Sequence, residues 1–337
     1  MPATIVVDAL WGDSGKGKIA AYIAQKHHAA FAVRAGTGTN AGHSIHFENG
    51  ESIRTHQLPC GWLDPKTQLR IGSGVAVDPT CFFDEIESYG LADRAKMDFR
   101  CAIIEPEHKT REKEDSHLTN KVGSTCSGTG AARADFILRR ARQAQSHPDL
   151  KDFLSDVPRE LNTACINGET VIIEGSQGTQ LSLALTKDYP CCTSDNCTAI
   201  ASADDVGLNW QHIAEVIMVL KAMPTRVGEG PLPNELSTGE IEKRGIAEYG
   251  VTTGRLRRKA AHIPWELLEE AIMLNGPTQI ALTFCDHFDP EVTDIRNASL
   301  LTDPIRNLIR EIEKRTQIPV TLVETGKHFE DIIDLST

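Results

Sequence analysis

Short runs of apolar, β-branched residues recur along the chain and alternate with segments of helical spacing. The runs predict strands, and they are Thr4–Val7, Ala30–Val33, Val171–Ile173, Val216–Val219, Ile280–Thr283 and Val320–Val323. Segments after or between them predict helices, namely Ile19–Gln25, Ala199–Val216, Pro264–Leu274 and Pro304–Arg315. Alternation of this kind predicts an α/β fold with a central, mostly parallel sheet flanked by helices.

The helix prediction is clearest near the carboxyl end of the chain. Within Arg306–Lys314, the residues Leu308, Ile309 and Ile312 fall on one face of an amphipathic helix. No repeat, low-complexity tract or linker-like stretch divides the sequence. We therefore expect one domain over residues 1–337, with long loops at a P-loop-like nucleotide site.

Composition narrows the class of protein. The chain has 337 residues, of which 40% are hydrophobic, enough for a large core, and its net charge of −12 argues against general binding to nucleic acid. Since no run of eighteen apolar residues occurs, we expect no transmembrane helix. Nine scattered cysteines and an amino terminus without a basic, signal-like region predict reduced thiols in a cytoplasmic protein.

The most informative segment is Trp11–Lys18, which follows the apolar run Ile5–Val7. A strand, a glycine-rich turn and a helix in this order place backbone N–H groups around an anion, usually a phosphate. The spacing is not that of the ordinary P-loop, and Asp13 lies inside the turn. An acid beside bound phosphate costs Coulomb energy unless it binds a metal or does chemistry, so the segment predicts catalysis. Lysines at a solvated helix start are the alternative.

Further loops rich in small polar residues are predicted to end strands and to converge on one crevice at the carboxyl edge of the sheet. They are Gly36–His43, Gly123–Gly130, Gly175–Thr179, Thr193–Thr198 and Gly250–Arg258. In the first, His43 is a candidate proton donor or oxyanion stabiliser, and backbone groups near Gly42 are candidates to reach a metal or phosphate. A flexible turn with an incidental histidine is the alternative.

Two of these segments suggest anion binding. Hydroxyls and amides of Gly123–Gly130 suit a phosphate, and the basic residues Arg133, Arg139 and Arg140 follow; an ordinary surface loop is the alternative. The guanidinium groups of Arg255, Arg257 and Arg258 suit carboxylates or phosphates, unless they form a solvated charge run. Three further residues, Cys191, Cys192 and Cys197, lack zinc-ligand spacing, so we expect structural or incidental thiols.

Taken together, these motifs resemble those of the adenylosuccinate synthetase family. The matching segments occur in the family's order and span nearly the whole chain: Trp11–Lys18, Asn40–His43, Gly123–Gly128, Glu174–Thr179, Tyr189–Ser194, Thr225–Pro231 and Thr252–Arg257. The length is similar to that of the compact archaeal branch.

The resemblance implies a two-step ligation. A nucleoside triphosphate phosphorylates the 6-oxygen of a purine mononucleotide, and the amine of L-aspartate then displaces that phosphate. By the same resemblance, Asp13 is the base that removes the purine N1 proton and a ligand of Mg²⁺. His43 is the acid, Lys16 supports phosphoryl transfer, and Gly42 offers its carbonyl to Mg²⁺.

The resemblance also implies binding residues. Those for nucleotides are Ser14, Gly15, Gly17, Lys18, Asn40, Ala41, Ser124, Thr125, Arg139, Gln177, Thr193, Arg257, Asp286, Thr325 and Gly326. Those for aspartate are Val251, Thr252, Thr253, Gly254, Arg255 and Leu256. Arg139 matches an arginine that reaches the 5′-phosphate from a partner subunit, so a homodimer is expected.

Three positions depart from the family pattern. Ser14 replaces a glutamate, Leu256 replaces an arginine, and Phe284-Cys285-Asp286 replaces a K-x-D segment that binds the triphosphate's base. The serine resembles phage enzymes that use dGMP, because a small side chain leaves room for guanine's 2-amino group. The lost lysine favours ATP or dATP as donor.

The leading hypothesis is therefore a ligase that makes N6-succino-2-amino-2′-deoxyadenylate, the diaminopurine DNA precursor, from dGMP. It would act in the host cytoplasm if it is phage-encoded. The alternative within the family is an enzyme that uses IMP and GTP. A nucleotide-binding regulatory protein is the alternative from another class.

Overall fold

The computed structural model of the chain describes residues 2–249 and 254–336. Its strands in chain order are β1 (Ala3–Asp8), β2 (Phe31–Arg34), β3 (His43–His46), β4 (Ser52–Thr55), β5 (Gln68–Ile71), β6 (Ala95–Asp98), β7 (Leu154–Ser155), β8 (Val171–Glu174), β9 (Ile213–Lys221), β10 (Thr225–Arg226), β11 (Arg258–Lys259), β12 (Gln279–Thr283), β13 (Val320–Glu324) and β14 (Ile332–Asp334).

The α-helices in chain order are α1 (Lys16–Lys26), α2 (Pro79–Ser88), α3 (Pro106–Glu114), α4 (Thr129–Ile137), α5 (Val157–Ile166), α6 (Ala199–Asp205), α7 (Thr238–Arg244), α8 (Trp265–Asn275), α9 (Cys285–Phe288) and α10 (Asp303–Thr316). Short 3₁₀ turns, such as Gly61–Leu63 and Trp210–His212, connect some of these elements.

One large sheet organises the described residues. Its strand order is β14-β13-β12-β9-β1-β8-β2-β5-β6-β7, and every neighbouring pair is parallel except β13–β14 at one edge. Two small antiparallel pairs, β3–β4 and β10–β11, stand apart from it. The prediction of an α/β fold with a mostly parallel central sheet is therefore confirmed.

Helices cover both faces of this sheet because alternate residues of each strand point to opposite sides. Val6 of β1 packs with Ile19 and Ile23 of α1 on one face. On the other face, Val7 packs against α5 and α6, while neighbouring strands pack against α8 and α10. Burial on both faces explains why these strands are continuous apolar runs rather than alternating ones.

The predicted helix over Ala199–Val216 is wrong in its second half. The helix α6 ends at Asp205, and Gly207 follows with φ of +65°. A Cβ at Gly207 would lie 2.5 Å from Pro158 Cγ, so the position requires glycine, and glycine in this conformation ends a helix. A 3₁₀ turn over Trp210–His212 then leads into β9, which already begins at Ile213.

Two of the five loops predicted to end strands do not, and a third, Gly250–Arg258, lies partly outside the described residues and has α7 as the last helix or strand before it. Gly123–Gly130 follows a single π-helical turn over Leu118–Val122 and leads into α4. Thr193–Thr198 precedes α6, where the Thr198 hydroxyl accepts a hydrogen bond from the Ala201 N–H at 3.3 Å and caps the helix. Gly36–His43 and Gly175–Thr179 do follow β2 and β8.

The helices of the described residues are too short or too polar to cross a membrane.

Asp205, at the end of α6, fastens this helix to the loop after β2. Its carboxylate accepts a hydrogen bond from the Gly36 N–H at 2.8 Å, and its backbone carbonyl accepts one from the Gly74 N–H at 2.7 Å. Burial and the nearby Asp195 raise the pKa of Asp205 to about 7. The folded chain therefore holds this proton at a pH where the unfolded chain has released it.

We predict that Asp205 makes the fold less stable as the pH rises. Its contribution is present below the unfolded pKa, about 3.9, and is lost as the pH rises through about 7. Asp205→Asn removes the ionisation and raises the urea midpoint at pH 8 relative to the wild type, with a smaller difference at pH 5. Asp204→Asn, a change at the exposed neighbour, is the control. An Asp205→Asn midpoint that follows the wild type at both pH values would contradict this account.

Candidate active site

Several strands of the large sheet have a charged side chain as their last residue, at the carboxyl edge of the sheet. The strands β1, β2, β8, β9 and β13 end in residues that are at most 4% exposed, namely Asp8, Arg34, Glu174, Lys221 and Glu324. Buried charges need partners, since an isolated ion in a protein interior is very costly. The partners of these residues come from the loops that form the site.

The turn over Trp11–Lys18 is shaped by Asp8. One carboxylate oxygen of Asp8 accepts hydrogen bonds from the N–H groups of Leu10 at 2.7 Å and Gly12 at 3.0 Å. The chain then passes through left-handed backbone at Gly12, Asp13 and Gly15 before α1 begins. The predicted strand, turn and helix are thus present, and the amino end of α1 faces the cavity described below.

Two cations contact Asp13, the acid inside the turn. The Arg257 guanidinium forms an ion pair with the Asp13 carboxylate, and the Lys221 ammonium donates to the Asp13 backbone carbonyl at 3.1 Å. Burial lowers the pKa of Arg257 to about 10, which still leaves it charged at neutral pH. The Asp13 side chain remains 27% exposed, so the carboxylate faces both Arg257 and open space.

The two lysines of the turn have different surroundings. Lys16 donates to the Gln177 carbonyl at 2.6 Å, and burial lowers the pKa of its ammonium. Lys18 instead forms an ion pair with Glu324 and donates to the carbonyl of Gly326 at 2.7 Å. Lys18 lines the cavity described below, so its predicted role in nucleotide binding stays a prediction, and its ion pair with Glu324 also joins α1 to β13.

His43 lies in a buried cluster with Arg34 and Glu174. The Glu174 carboxylate pairs with His43 Nδ1 and accepts from Arg34 Nη1 at 3.0 Å. Burial lowers the pKa of His43 to about 4, although Glu174 opposes that shift. Burial alone would raise the pKa of Glu174, but His43 and Arg34 outweigh it and bring the pKa down to about 2. In the structure His43 is therefore neutral and Glu174 ionised at pH 7.

This arrangement orients the imidazole. An ionised carboxylate only accepts hydrogen bonds, so the Nδ1 atom that faces Glu174 carries the proton. The Nε2 atom of neutral His43 then carries a lone pair, and Arg34 Nη1 lies 3.2 Å from it. An anion placed beside Nε2 favours protonation of the ring, and Glu174 stabilises the resulting imidazolium. The cluster is suited to holding a proton and delivering it to an incoming anionic group.

Two glycines allow the close contacts around His43. A Cβ at Gly17 would lie 2.7 Å from His43 Cβ and 2.8 Å from Cys60 Sγ, so α1 packs directly on the histidine. A Cβ at Gly42 would lie 2.7 Å from His56 Cε1. Larger residues at either position would displace His43 or its loop.

A single cavity of about 550 Å³ brings most of the predicted residues together. Those that line it are Asp13, Ser14, Gly15, Lys16, Gly17, Lys18, Asn40, Ala41, Gly42, His43, Ser124, Thr125, Gln177, Thr193, Arg257, Asp286 and Gly326. Asn40 Nδ2 donates to Thr193 Oγ1 at 3.2 Å, which joins two of the predicted loops.

The remaining predicted residues do not line this cavity. Thr325 is fully buried and its hydroxyl donates to the Ile295 carbonyl at 2.5 Å, so the prediction that it contacts nucleotide is not supported by its position. Arg139 is exposed beyond the end of α4. Gly254, Arg255 and Leu256 lie outside the cavity wall, and Val251, Thr252 and Thr253 fall outside the described residues.

Sequence reasoning missed several groups that shape the site. Glu174 and Arg34 hold His43, while Lys221 and Glu248 lie behind Asp13. The available signal was positional: Arg34, Glu174 and Lys221 are each a charged residue directly after an apolar run. Such a residue is either solvated or the start of a site, and the strand order decides between the two.

The chain is similar to known proteins over nearly its whole length. A family model described as adenylosuccinate synthetase matches residues 5–147 and 141–290. The adenylosuccinate synthetase of Thermococcus onnurineus is 44% identical over 337 residues, covering 99% of this chain and 98% of the relative.

Two solved structures are also similar. The fully ligated adenylosuccinate synthetase of Plasmodium falciparum has a TM-score of 0.91 at 22% identity, covering 99% of this chain and 100% of that one, and indicates the shared fold. The succinoaminodeoxyadenylate synthetase of cyanophage S-2L, bound to dGMP and dATP, has a TM-score of 0.83 at 25% identity, covering 100% of this chain and 96% of that one.

We predict that Glu174→Gln destabilises the fold by about 3–5 kcal/mol, because it leaves the Arg34 guanidinium buried without its counter-charge. Urea denaturation at pH 7 measures the change. Glu48→Gln is the control, since Glu48 forms an ion pair with Arg296 on the surface and its loss is expected to change the midpoint little. A Glu174→Gln midpoint equal to that of the control would contradict the assignment of a buried pair.

Proposed function

Because the chain belongs to the adenylosuccinate synthetase family, a family of C–N ligases that use a purine nucleotide, aspartate and nucleoside triphosphate hydrolysis, we propose that it joins L-aspartate to the 6-position of IMP. The observation that carries the proposal is the convergence of Asp13, Lys16 and His43 on one cavity. A regulatory protein without catalysis needs no acid beside these groups. The extent of the match to the Thermococcus onnurineus adenylosuccinate synthetase favours IMP and GTP over the dGMP hypothesis.

In the first step, Asp13 removes the proton from N1 of the purine. The electron pair moves to O6, which attacks the γ-phosphorus of the triphosphate; the O6–P bond forms and the bond to the β,γ-bridging oxygen breaks. An unionised amide-like oxygen is a weak nucleophile, so this proton transfer contributes about 10²–10⁴-fold to the rate. Asp13 must exchange its Arg257 partner for the purine, and its partly exposed carboxylate allows this.

His43 and Lys16 act on the transferring group. Phosphoryl transfer depends mostly on positioning and on neutralising charge on the equatorial oxygens. Lys16 supplies a desolvated ammonium. The negative charge of the phosphoryl group favours protonation of His43 at Nε2, and the imidazolium, stabilised by Glu174, then donates a hydrogen bond to that group. In the second step the aspartate amine attacks C6, and inorganic phosphate leaves.

The oxygen donors at this site fit Mg²⁺. The Asp13 carboxylate and the Gly42 backbone both line the cavity, and Mg²⁺ is usually held by one or two protein oxygens together with substrate phosphates. When bound, Mg²⁺ would neutralise charge on the triphosphate. A Cβ at Gly42 would meet the His56 ring, so this position requires glycine.

We propose substrate-binding roles for three groups of residues. We assign Val251–Leu256 to the carboxylates of aspartate, and Asn40, Thr125, Gln177 and Thr193 to the purine nucleotide. Asp286 lines the cavity where the donor's base would lie, with the rings of Phe284 and His287 packed edge to face at 5.3 Å.

The surface around Arg139 supports a homodimer. Phe136, Ile137 and Leu138 are 40%, 66% and 55% exposed, so three apolar side chains precede this exposed arginine. A second copy that covers this apolar group would leave Arg139 at the interface between the two copies. We propose this assembly as the route by which Arg139 reaches the 5′-phosphate.

A second acceptor, dGMP, is favoured by one observation. Ser14 is 1% exposed and lines the cavity, and its hydroxyl has no hydrogen-bond partner among the described residues. A buried unpaired hydroxyl is costly, and the 2-amino group of guanine would satisfy it. The similar cyanophage structure is bound to dGMP and dATP, and the phage-type product with ATP or dATP as donor is therefore the second candidate reaction.

We predict that Asp13→Asn lowers kcat by about 10²–10⁴-fold, because the amide cannot take the N1 proton. Phosphate release with IMP, GTP, L-aspartate and Mg²⁺ gives the rate, and calorimetry with IMP gives the affinity. Purine affinity changes much less than kcat. Thr302→Ala, a change at a hydroxyl remote from the cavity, is the control and keeps wild-type activity. Unchanged turnover in Asp13→Asn would remove the assignment of the base.

We predict that wild-type protein converts IMP with GTP at a higher kcat/KM than dGMP with ATP or dATP. Ser14→Glu is expected to lower any activity with dGMP more than activity with IMP, since the larger side chain fills the space beside the purine. Product formation is followed by chromatography with each acceptor and donor in turn. Turnover of dGMP with no turnover of IMP would reverse the order of the two candidates.

A further inference from the structure

Residues 248–249 and 256–257, the two arms that flank residues 250–253, contact each other, and both arms are linked to Asp13. Tyr249 pairs with Leu256 in an antiparallel bridge, and the Arg257 N–H donates to the Glu248 carbonyl at 2.8 Å. Arg257 holds the Asp13 carboxylate, as described above. One arm of this segment, which we assign to aspartate binding, is thus in direct contact with the proposed base.

The other arm reaches Asp13 through Lys221. One carboxylate oxygen of Glu248 accepts from Lys221 Nζ at 2.5 Å, and the same ammonium donates to the Asp13 backbone carbonyl at 3.1 Å and to Thr225 Oγ1 at 3.0 Å. Lys221 also lies over the ring of Phe284, 3.8 Å from its centroid. Its ammonium has a defined place, and Glu248 is the anion that keeps it there.

The backbone of Asp13 needs such support. Its φ of +52° lies in the left-handed region, which is unfavourable for a residue that carries a Cβ. A hydrogen bond to its carbonyl fixes the orientation of the peptide that follows Asp13. A shift of that peptide would move the carboxylate relative to the purine, and misplacement by 1 Å can cost about 10²-fold in rate.

We propose that Glu248 and Lys221 are a positioning pair that couples the aspartate-binding segment to the backbone of Asp13. The inference rests on the proposed function. Glu248 and Arg257 are hydrogen-bonded to each other at the base of the aspartate-binding segment, and Lys221 links Glu248 to the Asp13 backbone. Neither residue touches the reacting atoms in this account.

The charges around the pair agree with this role. The other oxygen of Glu248 pairs with Lys259, whose ammonium lies 2.8 Å from His287 Nδ1. The carboxylate of Asp286 also attracts the Lys259 ammonium. Burial opposes ionisation of Glu248, but Lys221, His287 and Lys259 outweigh it and hold the pKa of Glu248 below its usual range. One carboxylate therefore balances two buried ammonium groups, and its removal frees both of them.

The test compares Glu248→Gln and Glu248→Asp with a matched control, Glu235→Gln. Glu235 forms an ion pair with Arg258, the residue after Arg257, but that pair points to the Gly230 loop and not to Asp13. Steady-state kinetics give kcat and the KM values for aspartate and IMP, calorimetry with IMP counts binding-competent sites, and thermal melting reports the folded fraction.

Glu248→Gln is expected to lower kcat about 10²-fold per competent site and to raise the KM for aspartate about tenfold, with the KM for IMP unchanged. Glu248→Asp restores part of both effects, and Glu235→Gln behaves as the wild type. A purely structural role would lower the number of sites and leave kcat per site and both KM values unchanged.

The outcomes separate the two proposals. Wild-type protein without ligase activity on any acceptor overturns the proposed function and this inference with it. An active wild type with Glu248→Gln kinetics like those of Glu235→Gln overturns the inference alone. If Glu248→Gln does not fold, Lys221→Arg, which keeps the charge but shifts it, must show the same rise in the KM for aspartate.

Discussion

Five strands of the sheet, β13, β9, β1, β8 and β2, end in a buried charged side chain, and these side chains pair with each other or with groups that surround the cavity. Asp8 folds the turn of Trp11–Lys18, Arg34 and Glu174 hold His43, Lys221 holds the Asp13 backbone, and Glu324 binds Lys18. The packed core fixes the positions of these strand ends, so contacts with them fix the positions of the loops as well. The loops of the site are placed by charge as much as by backbone pairing.

This arrangement supplies preorganisation. Catalytic dipoles and charges that are already oriented need no reorganisation when the reaction begins, and they act strongly because water is excluded. The ligand-free structure neutralises its own anions: Arg257 covers Asp13, and Arg34 and His43 cover Glu174. In the proposed mechanism Asp13 exchanges Arg257 for the purine. Glu174 keeps Arg34 as its partner in that mechanism, which avoids the cost of an uncompensated buried charge.

Local patterns predicted the centre of the fold and the chemistry of the turn. Val171–Ile173 and Val216–Val219 are strands because parallel, doubly buried strands need uninterrupted apolar runs. The strands β5 and β6 escaped prediction because Arg70 and Lys96 interrupt them. Arg70 is nevertheless buried, since Glu160 and two backbone carbonyls accept its hydrogen bonds. The ion pair of Lys18 with Glu324 escaped prediction because the two residues lie about three hundred positions apart along the chain.

Positional isotope exchange tests the central claim, that Asp13 activates the purine for attack on the triphosphate, most directly. The triphosphate carries ¹⁸O at its β,γ-bridge, and Mg²⁺ and IMP are present without aspartate. The account predicts that label moves into the non-bridging β positions with the wild-type protein and stays in place with Asp13→Asn. Label that moves equally fast in both proteins, or movement that does not require the purine nucleotide, would contradict it.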